Sequence, residues 1–144
     1  MKKFIFALLA LSMPFTSSFA SVSLPTCVYD AANKYGAPKK VFEALVIAER
    51  NSPNVKNSEH YGSMNLYKMA VPIASKETGL NEQAIKTDEC SGYYAASWWL
   101  MNPAGGDSET DIWEAVYSYY YGKSERFRRN PVKVKQVKNI YETL

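Results

Sequence analysis

Residues 39–50 read KKVFEALVIAER, a stretch with the residue spacing of an amphipathic helix. Phe42, Leu45 and Val46 share one face of such a helix, and Glu49 falls on that same face. A carboxylate in this position is expected to face the protein interior or a cleft. Because removing a charge from water is costly without a partner, Glu49 is either a functional residue or a structural carboxylate paired with a lysine or arginine.

The neighbouring segments also have helical patterns. A short helix is predicted from Cys27 to Gly36, and residues 51–54 end the helix that carries Glu49. Gly62 and Pro72 are expected to prevent a long helix after that loop. Further helices are predicted over Leu80–Lys86, residues 90–102, Asp111–Tyr121 and Pro131–Leu144. With no alternating strand pattern in the sequence, the expected fold class is mainly α.

The first twenty residues, MKKFIFALLALSMPFTSSFA, have a different character. Two lysines precede an apolar run, and small residues follow it, which is the pattern of a secretory signal peptide cleaved after Ala20. The alternative is a membrane anchor, but the apolar run is about a dozen residues, short of the roughly 20 that span a bilayer. The expected mature chain, residues 21–144, is long enough for one compact domain.

Charge is unevenly distributed along this chain. Without Lys2 and Lys3 the protein has 15 basic and 14 acidic residues, a net charge of +1, yet residues 123–144 hold seven Lys or Arg and two Glu. Such a segment is either a solvated helix face or a contact for an acidic polymer or membrane surface. No nucleic-acid-binding motif occurs, and export also argues against a nucleic-acid partner.

The numbers of cysteines and histidines limit the kinds of disulfide, metal and catalytic site that the chain can form. Two cysteines, Cys27 and Cys90, remain in the expected mature chain, and an even count in an exported protein suggests one disulfide. Closing a loop of about 63 residues would stabilise the fold by roughly 4 kcal/mol. The single histidine, His60, argues against a zinc site and against a Ser-His-Asp triad. We therefore expect no metal and no cofactor.

Several segments occur in the order of a known family. These are Tyr35-Gly36-Ala37-Pro38 followed by EALVIAER, Gly62-Ser63-Met64-Asn65-Leu66, Thr87-Asp88-Glu89-Cys90 followed by YYAASWWLM, and Trp113-Glu114-Ala115-Val116 with Tyr119-Tyr120-Tyr121-Gly122. In this order and spacing the chain resembles the lysozyme-like lytic transglycosylases, in particular the small single-domain type that accompanies conjugation, type IV secretion and pilus machinery.

The resemblance implies a goose-type lysozyme fold and a monomeric periplasmic enzyme that cleaves peptidoglycan glycan strands. Glu49 would be the sole catalytic acid and base. The substrate's N-acetyl group and C6 hydroxyl would replace a second carboxylate and water, which gives a 1,6-anhydro product. Residues expected to bind substrate are Ser63, Met64, Asn65, Tyr119 and Tyr120, with the Tyr119 hydroxyl near Glu49, the Asn65 amide bonded to Glu49 or substrate, and Cys27 bonded to Cys90.

The chain departs from the family at three places. Arg50 follows the glutamate where serine is usual, Ser63-Met64-Asn65 stands for Leu-Met-Gln, and Tyr120 replaces Asn or His. If Arg50 folded back on Glu49 it would favour the ionised carboxylate, whereas an outward Arg50 would only complement the helix dipole. Two alternatives therefore stay open: a degenerate module that binds glycan or machinery, and a lysozyme that uses water.

Overall fold

The computed structural model of the protein describes residues 23–52, 59–104 and 111–144. Over these ranges the chain is mainly α-helical, as predicted, and the expected signal peptide, residues 1–20, lies outside them. The elements are α1 (Thr26–Tyr35), α2 (Lys39–Arg50), β1 (His60–Tyr61), β2 (Leu66–Tyr67), α3 (Ala70–Thr78), α4 (Glu82–Thr87), α5 (Glu89–Met101), α6 (Ile112–Tyr121), a 3-10 turn (Glu125–Phe127) and α7 (Val132–Thr143).

Helix α2 lies in the middle of the fold. Its residues Phe42, Leu45 and Val46 are fully buried, and the buried set on this helix also includes Glu49. The helix packs against α1 on one side and α7 on another. The amphipathic spacing therefore predicted both the helix and the inward direction of Glu49.

Helix α5 packs against α1. The Cys27 and Cys90 sulfurs are 2.07 Å apart, which is compatible with the predicted disulfide. Deeper in the same contact, the buried Ser97 hydroxyl donates a hydrogen bond to the Ala31 carbonyl at 3.0 Å. The cysteine pair near the start of α5 and the Ser97 hydrogen bond in its second half both hold α5 against α1.

The sequence analysis missed a small antiparallel hairpin. Strands β1 and β2 pair His60 with Tyr67 and Tyr61 with Leu66, around a turn at residues 62–65. Strands of two residues are too short to show an alternating pattern. Gly62 and Pro72 were expected to prevent a long helix here, and α3 begins only at Ala70 and has nine residues. Pro72 therefore lies in the first turn, where its missing N–H breaks no intrahelical bond.

Among the residues that the structure describes, no helix has the length and apolar character needed to cross a membrane.

Candidate functional site

A cavity of about 740 Å³ opens beside the C-terminal end of α2. Its wall is rich in aromatic side chains and contains few charged ones. It is lined by Glu49, Ser52, Glu59, His60, Asn65, Leu66, Tyr67, Trp99, Ser118, Tyr119, Tyr120, Tyr121, Gly122, Phe127 and Lys133. A concave, mostly apolar wall with a few converging polar groups is the usual form of a small-molecule or oligosaccharide site.

Glu49 is the polar centre of this cavity. Its side chain is only 2% exposed, and both carboxylate oxygens accept a hydrogen bond. The Asn65 amide donates to Oε2 at 2.7 Å, and the Tyr120 hydroxyl donates to Oε1 at 2.6 Å. These two donors satisfy a carboxylate that would otherwise be costly to bury.

The turn between β1 and β2 aims the Asn65 side chain. Asn65 has a φ of 46°, a left-handed conformation that asparagine tolerates better than most residues. Gly62 also has a positive φ, 74°, and a Cβ at this position would lie 2.5 Å from the Ile85 carbonyl oxygen. The Ser63 hydroxyl donates to the Glu89 carbonyl at 3.2 Å. The turn is thereby fitted against α4 and α5 with Asn65 facing Glu49.

The structure separates the predicted binding residues into two groups. Asn65, Tyr119 and Tyr120 line the cavity, as expected. Ser63 and Met64 are not among its lining residues, since Ser63 faces α5 and Met64 is fully buried in the core. Substrate binding by these two residues stays a prediction; in the structure both support the wall of the cavity from behind.

The hydroxyls of the two tyrosines have different partners. The resemblance implied a Tyr119 hydroxyl near Glu49; in the structure this hydroxyl donates to the Met64 carbonyl at 2.9 Å, and the Tyr120 hydroxyl makes the hydrogen bond with Glu49. Burial, followed by the charge of Glu49, raises the pKa of both tyrosines above the ordinary value. Both hydroxyls therefore keep their protons and act as hydrogen-bond donors around neutral pH.

Lys133, on α7, is a site residue that the sequence analysis missed. Its Nζ lies 3.6 Å from Glu49 Oε1, donates to the Ser52 hydroxyl oxygen at 2.5 Å, and lies 5.7 Å from the centre of the Tyr120 ring. Val134 and Val137 are buried and fix α7 in place. The interpretation of the basic segment as a solvated face suits exposed lysines such as Lys135 but is wrong for Lys133.

Arg50 does not fold back on Glu49. Its Nη2 lies 2.5 Å from Glu89 Oε1, and its Nε donates to the Tyr93 hydroxyl at 3.1 Å. The cation next to Glu49 is therefore Lys133, and Arg50 instead ties the end of α2 to the start of α5. Tyr93 in turn donates to Glu89, and burial raises the pKa of Tyr93 to about 12.

The cluster of Arg50, Glu89 and Tyr93 makes the stability of the folded protein depend on pH. The Tyr93 hydroxyl first, and the Arg50 guanidinium second, hold the pKa of Glu89 below its ordinary value. A carboxyl with a lowered folded-state pKa stabilises the fold above its unfolded pKa, and this contribution is lost as the pH falls through the folded-state value. Because the Glu89 side chain is 49% exposed, the gain is at most about 1 kcal/mol.

We therefore expect Glu89→Gln to be less stable than the wild type by up to about 1 kcal/mol at about pH 7. The difference should shrink at an acidic pH below the folded-state pKa of Glu89, where the carboxyl is protonated in both states. Urea denaturation at the two pH values measures it, with the exposed Glu142→Gln as control. A stability difference that is the same at both pH values would contradict this assignment.

The cavity also contains a second carboxylate, Glu59. The resemblance to the lytic transglycosylases implied a reaction without a second carboxylate. In the structure Glu59 lines the same cavity and forms an ion pair with Lys68 at 3.0 Å. Trp99, on α5, lines the cavity as well.

The chain matches no protein-family model, and comparisons with curated proteins and with solved structures returned no match.

Proposed function

We propose that this protein is a peptidoglycan lytic transglycosylase with a lysozyme-like fold, acting in the periplasm. The observation that carries the proposal is the setting of Glu49: a buried carboxyl group that opens onto an aromatic cavity, held by a hydrogen bond on each oxygen. The class of reaction is proposed from the sequence motifs that resemble, in the same order, those of the lytic transglycosylases. A role in opening the wall for a secretion, conjugation or pilus apparatus belongs to the same proposal.

One carboxyl group can perform the whole reaction. Glu49 gives its proton to the glycosidic oxygen as the bond to muramic acid C1 breaks, while the N-acetyl carbonyl oxygen of the same sugar attacks C1. Glu49, now ionised, takes the proton of the C6 hydroxyl, and O6 displaces the N-acetyl oxygen from C1. The product is a 1,6-anhydro ring, and no water is consumed.

The residues around Glu49 can interact with the carboxylate that forms after proton transfer. Asn65 and Tyr120 each donate a hydrogen bond to it, and the Lys133 ammonium lies 3.6 Å from Oε1. The flat aromatic side chains of Trp99, Tyr121 and other wall residues offer surfaces for the apolar faces of sugar rings.

A hydrolytic lysozyme is the second candidate, and Glu59 is the observation that favours it. Glycosidases that consume water use two carboxyl groups that flank the scissile bond, and Glu59 provides a second one on the same cavity. If water completes the reaction, Glu59→Gln should remove most of the activity. If the C6 hydroxyl completes it, Glu59→Gln should leave the product unchanged.

Mass spectrometry of purified peptidoglycan after incubation with the mature protein tests the proposal. We expect new chain ends that carry 1,6-anhydromuramic acid. Reducing muramic acid ends would favour the hydrolase, and binding without any cleavage would favour a glycan-binding module. Either of these results would contradict the transglycosylase assignment.

Tyr120→Phe should reduce the rate of cleavage by about 10- to 100-fold, because it removes one hydrogen bond to a charged group, worth about 1.5–3 kcal/mol. Tyr119→Phe is the matched control on the neighbouring residue, since its hydroxyl bonds a backbone carbonyl instead of Glu49. Release of soluble muropeptides from isolated cell wall measures both. A larger loss in Tyr119→Phe than in Tyr120→Phe would contradict the positions of the two hydroxyls.

A further inference from the structure

We propose that Lys133 is a specificity-determining residue that binds a carboxylate of the glycan strand. This inference rests on the proposed function and names the substrate feature that the site selects. Lys133 belongs to α7, outside the motifs on which the resemblance was based, so it was not among the predicted binding residues.

The hydrogen bonds of Lys133 leave its ammonium group able to bind a further acceptor. An ammonium has three protons. The Ser52 hydroxyl oxygen accepts one of them at 2.5 Å, and the Ser52 proton is itself given to the Ala48 carbonyl at 2.8 Å. The contact with Glu49, at 3.6 Å, is an ion pair longer than a hydrogen bond. The ammonium can therefore donate into the cavity that it lines.

The position of Lys133 is also well determined. Its backbone N–H donates to the Tyr121 hydroxyl at 3.1 Å, and the adjacent Val134 is buried. The side chain is 34% exposed, so the cation is held at the cavity wall but can be reached by a ligand. A cation fixed in this way discriminates between anionic and neutral ligands of the same shape.

The chemistry of the substrate places a carboxylate within reach. N-acetylmuramic acid differs from N-acetylglucosamine in a lactyl ether on C3, on the ring whose C1 bond Glu49 would break. The lactyl group ends in a carboxylate, or it carries a stem peptide with carboxylates of its own. A cation 3.6 Å from the catalytic carboxyl is therefore close to the group that distinguishes the two sugars.

Glu49 and a substrate carboxylate would compete for the same ammonium. The other charged or titratable groups around the cavity are Glu59, His60 on β1, Tyr67 on β2, and Tyr119, Tyr120 and Tyr121 on α6. Of the residues that the structure describes along this cavity wall, Lys133 is the only lysine or arginine. We therefore expect preference for acidic glycan to depend on it.

The test measures binding in a Glu49→Gln background, which prevents cleavage during the measurement. Three tetrasaccharide ligands are compared by calorimetry: a neutral chitin oligomer, a peptide-free muramic acid glycan with lactyl carboxylates, and the same glycan with stem peptides. Adding Lys133→Gln should weaken binding of at least one acidic glycan by about tenfold, the loss of one charge-assisted hydrogen bond, and leave chitin binding unchanged.

Two control variants separate this role from a structural one. Lys133→Arg keeps the cation and should keep most of the preference, and Lys135→Gln removes an exposed lysine of the same helix and should change nothing. The acidic glycan that loses affinity identifies the carboxylate as lactyl or peptide-borne. Added salt should weaken the binding of that glycan more than that of chitin.

The outcomes distinguish this inference from the proposed function. The role of Lys133 alone would be overturned if Lys133→Gln bound each of the three ligands as tightly as its parent does. It would also be overturned if Lys133→Gln lost as much affinity for chitin as for the acidic glycans. If the Glu49→Gln protein binds none of the three ligands, the proposed function is overturned and this inference with it.

Discussion

Glu49→Gln is expected to abolish glycan cleavage while the protein stays folded and still binds glycan. The amide has almost the shape of the carboxyl group but no transferable proton, and positioned acid–base groups contribute about 10²- to 10⁴-fold to such reactions. One carboxylate oxygen becomes an N–H₂ donor, so either Tyr120 or Asn65 must present an acceptor instead of a donor to keep its contact. We expect muropeptide release below about 1% of the wild-type rate.

Glu43→Gln is the matched control, because Glu43 lies on the same helix but is not among the cavity-lining residues. The Tyr29 hydroxyl donates to it at 3.1 Å. This variant should keep wild-type activity within about twofold, since it changes no group that contacts the substrate. Muropeptide release by Glu49→Gln at a rate near that of Glu43→Gln would rule out Glu49 as the catalytic acid.

Phe42→Ala is expected to cause the largest loss of stability. Phe42 is fully buried on α2, the helix that carries Glu49, and large-to-small changes of buried aromatic residues cost about 3–5 kcal/mol. The loss combines the apolar surface returned to water with the cavity that remains. Urea denaturation of the oxidised protein, followed by circular dichroism, measures the free energy of unfolding.

Phe127→Ala provides a control with the same chemical change. Phe127 is 40% exposed and stacks on Tyr121, so we expect a loss of about 1 kcal/mol. A Phe42→Ala protein that loses no more stability than Phe127→Ala would show that α2 is not the central helix of the folded domain.

The sequence predicted α2 and the direction of Glu49 because both depend on local spacing. Residues on one helical face share an environment, so a carboxylate in register with Phe42 and Leu45 had to point inward. The same reasoning could not decide between Tyr119 and Tyr120. Adjacent helical residues point about 100° apart, and the rotation of α6 about its axis depends on packing that the sequence does not reveal.

Contacts between segments that are distant in sequence explain the other differences between the predictions and the structure. Lys133 had the pattern of a solvated residue, and only the packing of α7 on α2 brings it to Glu49. Arg50 is adjacent to Glu49 in sequence, and of its two possible directions the structure has the outward one, because adjacent positions on a helix do not face each other. Its partner, Glu89, comes from α5.

Asn65, in the turn between β1 and β2, is another residue whose contact could not be predicted from the sequence. Asn65 stands where the family resembled has a glutamine, whose amide is carried on a longer side chain. In the structure the amide already lies 2.7 Å from Glu49 Oε2, on a residue with a left-handed backbone. We expect Asn65→Gln to misplace the amide, because the longer side chain is less suited to this conformation.

Cleavage of purified glycan strands in water enriched in oxygen-18 tests the central proposal most directly. Transfer to the C6 hydroxyl involves no solvent oxygen, so the new muramic acid ends should lack one water in mass and carry no oxygen-18. Glu49→Gln should yield no new ends. New ends with the mass of a reducing sugar and one oxygen-18 atom would show that water completes the reaction and would contradict the assignment as a transglycosylase.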